Sequence, residues 1–139
     1  MSFDLNLMHE YLEKYHEVVR ILILKTSGSA PRNSGTWMIV WKNGQNRTIG
    51  GGQLEYEVTK IARDLLNSSH SQKIKKYSLG PDIGQCCGGS VEVLIEKINI
   101  EKLGVILKED GFFARPISTS NKSLNLSSNK NIILDIYGK

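Results

Sequence analysis

Cys86 and Cys87 stand side by side in "GQCCGG", residues 84–89, and the chain has no other cysteine. Accessible thiols serve as nucleophiles, sulfur carriers or soft metal ligands. In an extended segment neighbouring side chains point to opposite faces, so this pair is poorly placed to chelate one metal jointly, and two thiolates do not complete a structural zinc site. A disulfide between adjacent cysteines is strained, and a reducing cytoplasm opposes a permanent one. The plainer reading makes both cysteines small buried apolar groups. Against it, Gly84, Gly88 and Gly89 leave little side-chain mass to cover a thiol, and Gln85 adds a neutral donor and acceptor. We therefore expect a functional role for at least one thiol. His9, His16 and His70 have no spacing that ties them to the cysteines and read as structural or exposed.

Two further segments invite an anion. In "IGGGQLE", residues 49–55, Gly50, Gly51 and Gly52 leave a strand-like run and enter a helical one. Backbone N–H groups there lack intrahelical partners and can cradle phosphate, with no Cβ to hold it away. The spacing is not that of a dinucleotide or P-loop site: Glu55 stands where the third glycine is wanted, and no Lys-Ser or Lys-Thr follows. A sharp turn accounts for one or two of the three glycines; the third favours binding. In "GSAPR", residues 28–32, Arg32 follows a rigid proline, and its planar fork suits oxyanions. A lone loop arginine is more often simply solvated, so Arg32 gains weight only beside the other loops.

These segments need elements to position them. Phe3, Leu7, Met8, Tyr11, Leu12 and Tyr15 recur at helical spacing after Asp4, a capping type, which predicts a helix to about residue 16. "VVRILILKT" reads as a strand buried on one or both faces. "TWMIVW", "KNGQ" and "NRTIG" read as strand, turn and strand, with Asn43-Gly44 the hairpin signal. Leu54, Val58, Ile61, Ala62 and Leu65 share one face of a second helix, with Glu55 and Glu57 near its start and Asn67 to Ser69 at its end. "KIKKYSLG" and "SVEVLIEKI" are strand-like and flank the cysteine loop, while "LGVILKED" and "FFARPIS" read as a hairpin around Asp110-Gly111. Residues 118–130 are Ser- and Asn-rich, like a linker, before the strand-like "NIILDIYGK". The expected fold is α+β: a mixed, mostly antiparallel sheet with two main helices and the glycine-rich loops gathered at one end.

The 139 residues suffice for one domain with a real core. No apolar run is long enough for an export signal or membrane span, so we expect a cytoplasmic protein without membrane contact. The net charge of +4 is spread along the chain, and its densest cluster, "KIKKY", reads as a solvated strand face. A nucleic-acid-binding module is the weaker reading because no basic aromatic motif accompanies the lysines. No Ser-His-Asp or Cys-His set and no paired carboxylates point to hydrolysis, so we do not expect an enzyme. A thiol protein carrying a persulfide on Cys86 or Cys87 is the alternative.

In order, "GSAPR", "GTWMIV", "TIGGGQLEYE" and "LGPDIGQCCGG" resemble the XdhC/CoxI family, the accessory proteins for maturation of xanthine dehydrogenase and related molybdenum hydroxylases. The resemblance runs from about residue 18 to about 97. It implies a chaperone that binds the molybdenum cofactor, molybdopterin, as cargo, holds it while a cysteine desulfurase sulfurates it, and delivers it to a xanthine dehydrogenase-type apoenzyme. It also implies that a cysteine of the "GQCCGG" motif, here Cys86 or Cys87, contacts the cofactor near its molybdenum. Onto the remaining motif residues we place Gly50, Gly51, Gly52 and Gln53 at the phosphate or pterin, Arg32 at an anionic group, Gln85 at the pterin or an oxo group, and Gly88 among the cofactor-binding residues. Family members commonly self-associate, which implies a homodimer. Residues 1–117 would form the cofactor-binding domain. Residues 118–139 would be a linker-like tail leading toward the Rossmann-like second domain that longer members carry.

Overall fold

The computed structural model describes residues 2–3, 5–28, 30, 32–80, 89–101, 112–116 and 132–137. Ten elements follow in order: β1 (Ser2–Phe3), α1 (Leu5–Tyr15), β2 (Glu17–Ser27), β3 (Trp37–Trp41), β4 (Gly44–Arg47), α2 (Gly52–Leu66), β5 (Gln72–Ser78), β6 (Ser90–Asn99), β7 (Phe112–Pro116) and β8 (Ile132–Tyr137). The main sheet has five strands in the order β4-β3-β2-β6-β5, every neighbouring pair antiparallel. A second sheet has the order β1-β8-β7, with β1 parallel to β8. The architecture is the expected α+β one.

Period-two alternation along β2 explains its uninterrupted apolar run. Val19, Ile21 and Ile23 pack into one core cluster with Leu54, Val58, Ala62 and Leu65 of α2. Val18 and Leu22 join a second cluster with Met8 and Leu12 of α1. The strand is therefore covered on both faces, and each face must be apolar. Arg20 is the exception, fully buried, and it lies directly opposite Glu96 of β6 with Nη2 4.0 Å from Oε1. Gln72 of β5 completes the row, donating Nε2–H to Glu96 Oε2 at 3.1 Å. Charges so deep persist only when paired and hydrogen-bonded, and here the pairing runs across three strands.

Several local expectations change. Phe3, counted above on the face of α1, lies instead in β1, in register with Tyr137; Asp4 is outside the described residues. His16 ends α1 in the left-handed region at φ 69°, its N–H donating to Leu12 O at 2.8 Å. That position usually takes glycine. The hairpin turn is Lys42-Asn43 rather than Asn43-Gly44, because Trp41 and Gly44 already face each other across the ladder. β4 accordingly starts two residues before "NRTIG" and ends at Arg47. Gly44 is small for a different reason: a Cβ there would sit 2.9 Å from the Trp41 indole. That indole stacks in turn on Tyr15 at 4.6 Å and Tyr11 at 4.9 Å between centroids.

α2 buries Leu54, Val58, Thr59, Ala62 and Leu65, the expected stripe with Thr59 added and Ile61 at its border. The Thr59 hydroxyl is satisfied by donating to Tyr56 O at 2.9 Å. At the far end Lys97 of β6 places Nζ 2.7 Å from Ser68 O and 3.3 Å from Leu65 O, a cation on carbonyls at and just past the helix C-terminus. "FFARP" forms β7 and "IILDIY" forms β8, and the two pair with each other. Residues 102–111, which include the expected Asp110-Gly111 turn, and the linker-like 118–130 lie outside the described residues. No helix among the described residues is long and apolar enough to cross a membrane.

Candidate ligand-binding site at one end of the sheet

Strand directions decide which loops meet. β2 antiparallel to both β3 and β6, β4 antiparallel to β3, and β5 antiparallel to β6 together make β2, β4 and β5 run the same way. All three therefore finish at one end of the sheet, and the segments leaving them are those after Ser27, Arg47 and Ser78. These are the "GSAPR", "IGGGQLE" and "GQCCGG" segments. The antiparallel order points these three strand ends the same way, although β4 stops at Arg47 in the row of Ile21, six residues short of Ser27. The row Ser27, Ser90, Ser78 marks that edge, each residue opposite the next across β2, β6 and β5. A cleft of about 380 Å³ opens there, lined by Ser27, Gly28, Ser78, Gly80, Gly89 and Ser90. Leu79 adds one apolar side chain to walls that are otherwise serine hydroxyls and glycine backbone, so the cleft offers hydrogen bonds to a polar ligand beside a small apolar surface. A bulge between Ile23 and Lys25 shifts the β2 register just before this end.

The glycine turn is more fully determined by the backbone than its sequence suggests. Gly50, Gly51 and Gly52 have φ of 123°, 75° and 70°, so all three occupy conformations that disfavour a side chain. Backbone geometry thus accounts for every glycine of the run, and the argument that a third one signals binding no longer stands. The turn also holds an anion of its own. Glu55 Oε1 accepts from Ile49 N–H at 3.0 Å, from Gly51 N–H at 3.3 Å and from the Thr48 hydroxyl. The same hydroxyl accepts from Gly50 N–H at 3.0 Å. Glu55 reaching back to the N-cap Gly51 resembles one half of a capping box. The N-cap has no side-chain oxygen, so the next N–H groups, of Gly52 and Gln53, have no side-chain cap. Gln53 is exposed, and its side chain donates to Glu57 Oε1 at 3.2 Å.

Sequence reasoning missed the role of Glu55, although an acid four residues past a glycine N-cap is the pattern that could have revealed it. It also missed Tyr77, which packs against the α2-side core near this end. Its hydroxyl oxygen is inaccessible, with no hydrogen-bond partner among the described residues. Burial, and secondly the Glu57 carboxylate, push its pKa above 10.0. Arg32 is exposed in the loop between β2 and β3. Gln85, Cys86, Cys87 and Gly88 lie outside the described residues, between Gly80 and Gly89. Among the described residues no group of three His, Cys, Asp or Glu is placed to hold a metal.

No curated protein matches the chain. Among solved structures, a xanthine dehydrogenase from Bacillus halodurans shares the fold with a TM-score of 0.71 at 23% identity. The match covers 86% of this chain and 40% of that one, so this chain spans well under half the length of its structural neighbour. The XdhC and CoxI family matches residues 11–78, which take in β2, the "GSAPR" loop, the β3–β4 hairpin, the glycine turn, α2 and β5 and stop before the cysteine loop. Three of the four motif segments lie inside that match, so residues 11–78 are similar to the XdhC and CoxI family.

Proposed function

We propose that this chain is a carrier of the molybdenum cofactor, holding it during sulfuration by a cysteine desulfurase and delivering it to a xanthine dehydrogenase-type apoenzyme. The observation that carries the reading is topological: three small-residue loops leave the same end of one rigid sheet, beside a cleft lined mostly by backbone and hydroxyls. The family match and the fold shared with a xanthine dehydrogenase support an accessory role in maturing such an enzyme. The cargo carries a phosphate, a hydrogen-bonding pterin and a soft metal centre, and the loops supply matching chemistry. Gly50 to Gly52 and Gln53 form the anion end, where the N–H groups of Gly52 and Gln53 complement those held by Glu55. Arg32 neutralises an oxyanion, Gln85 and Gly88 line the approach, and Cys86 or Cys87 faces the molybdenum. A carrier needs tight, reversible binding and no turnover of its own. A homodimer would cover an edge strand that the isolated sheet leaves open.

Purifying the full chain from cofactor-producing cells, followed by molybdenum analysis and fluorescence of the oxidised pterin, tests the reading. We expect both signals in stoichiometric amount, and their absence would remove the reading. Replacing both cysteines by serine should sharply weaken retention while the circular dichroism stays unchanged; full retention would take the thiols out of the site.

A further inference from the structure

The two edges of the main sheet differ. β4 is four residues long, and α2 reaches over it: Arg63 Nη2 lies 3.4 Å from Gly44 O, and the Gln45 side chain bonds both Arg63 and Glu55. β5 is seven residues long, pairs with β6 without a bulge, and has no further neighbour among the described residues. The ladder fixes which of its backbone groups are spare. Lys97 N–H donates to Ser71 O at 2.8 Å and Leu79 N–H to Gly89 O at 2.7 Å, so odd-numbered residues turn toward β6. Antiparallel alternation then directs the N–H and C=O of Ile74, Lys76 and Ser78 outward, away from β6. Lys73 and Lys75 stand opposite Ile95 and Val93, which pack with α2, so both project on the α2 side with no acid across the ladder. Lys76, on the other face, is opposite Glu92. Between α2 and the start of β5 lies a cavity of about 350 Å³ whose walls include Ile61, Leu65, His70 and Lys73, with Asp64 as its one carboxylate among the described residues.

We infer that β5 is a docking edge for an extended acidic segment of another protein, added antiparallel as a further strand of the sheet. The spare backbone groups supply the ladder, and alternate side chains supply the choice of partner. Acids two positions apart pair with Lys75 and Lys73, and an aliphatic side chain two positions further on enters the cavity over Ile61 and Leu65. A second copy of this chain does not fit. Antiparallel pairing of two β5 strands sets lysine against lysine whether the axis passes through Ile74, Lys75 or Lys76, so a homodimer would use one of the other edges. β5 ends at Ser78 in the wall of the serine-lined cleft, and the docked segment would run beside that cleft. The inference does not rest on what the cleft carries.

The test is amide exchange of the full chain, read by NMR, with the acetylated and amidated peptide TETETLT as probe. In the free protein the N–H groups of Lys73, Lys75 and Tyr77 should exchange slowly and those of Ile74, Lys76 and Ser78 fast. The peptide should slow the second set, with half-saturation below about 10 mM. The peptide TEPETLT keeps both charges but lacks the N–H that would meet Ile74 O, and it should bind at least about tenfold more weakly. Lys73→Glu with Lys75→Glu should weaken TETETLT by about tenfold or more. Lys14→Glu with Lys60→Glu, the same charge change at exposed positions away from this edge, should leave binding unaltered. Equal binding of the two peptides would mean plain charge attraction, and protection that rises with protein concentration alone would mean a second copy. Either result, slow exchange of the Ile74 and Lys76 N–H groups in the free monomer, or no saturation would overturn the inference.

Discussion

Replacing Glu55 by alanine probes what shapes the glycine turn. The substitution removes the acceptor of four donors: Ile49 N–H at 3.0 Å, Gly51 N–H at 3.3 Å, the Thr48 hydroxyl and, on Oε2, the exposed Gln45 Nε2–H at 3.5 Å. Thr48 is exposed and can turn to water, and the Gly51 bond is long, so these two contribute little. Ile49 is fully buried, and its N–H would be left facing a void. A hydrogen bond to a charged acceptor is worth about 1.5–3 kcal/mol, and an acid in the first helical turn adds about 0.3–1 kcal/mol. Discounting for the half-exposed carboxylate, we expect a loss of about 2 kcal/mol. With a urea m value of about 2 kcal/mol/M, the midpoint of Glu55→Ala falls by about 1 M at constant m. Glu55→Gln keeps an acceptor without the charge and should lose about half as much. Amide exchange gives a local readout, since the Ile49 N–H should lose protection in the alanine variant before global unfolding does. A destabilisation below about 0.5 kcal/mol, with Ile49 still protected, would show that the glycine backbone holds the turn without Glu55.

Gly44→Ala should destabilise by about 1–3 kcal/mol in urea melts, because its Cβ would meet the Trp41 indole at 2.9 Å, and Trp41 emission should shift to longer wavelength as the ring is pushed out. Lys97→Met should cost about 1 kcal/mol and raise amide exchange in the last turn of α2, whose carbonyls would lose their cation. Tyr77→Phe should be neutral or stabilising by up to about 1 kcal/mol, since it deletes a buried hydroxyl without a partner among the described residues. The folded pKa of Tyr77 is raised above 10.0, so the unfolded chain releases that proton first. Its contribution is therefore whole below pH 10 and is lost as pH rises through the folded value. Urea midpoints measured from pH 9 to 12 should fall less steeply in Tyr77→Phe than in the parent.

What the sequence disclosed follows from how local each cause is. β2 was readable because two covered faces demand an unbroken apolar run, and α2 because its stripe recurs at helical spacing. The gathering of the glycine loops could be expected from their position after strands, since an antiparallel order returns every second strand end to the same edge. Other features depended on distant partners. Arg20 reads as a break in an apolar run until Glu96 and Gln72 arrive beside it from strands more than fifty residues away. Gly44 looks like a turn residue next to Asn43, yet its size is set by the Trp41 ring. Phe3 fits a helical period and is claimed by a strand partner at the far end of the chain. Within the site, the turn was found but its occupant was not: Glu55 reads in the sequence as a departure from a nucleotide pattern and as an acid near the helix start, whereas it is the acceptor around which Ile49 and Gly51 are arranged.

The strand order also sets how the chain can be cut. β6 lies between β2 and β5, and among the described residues β5 has no other neighbour in the main sheet. A piece ending at residue 78 retains the glycine turn and all the residues of the family match, but it leaves β2 with a raw edge and strands β5 altogether. The recognisable unit is therefore shorter than the cooperative one, whose C-terminal boundary must lie beyond Asn99. Contacts between β2 and β6 join residues some 60 to 80 positions apart, as in Ser27 with Ser90 and Glu17 with Asn99. Such a pairing closes a long loop before any reward, so it should form after the β3–β4 hairpin and govern the folding rate. During synthesis the glycine end stays unbuilt until β6 has left the ribosome.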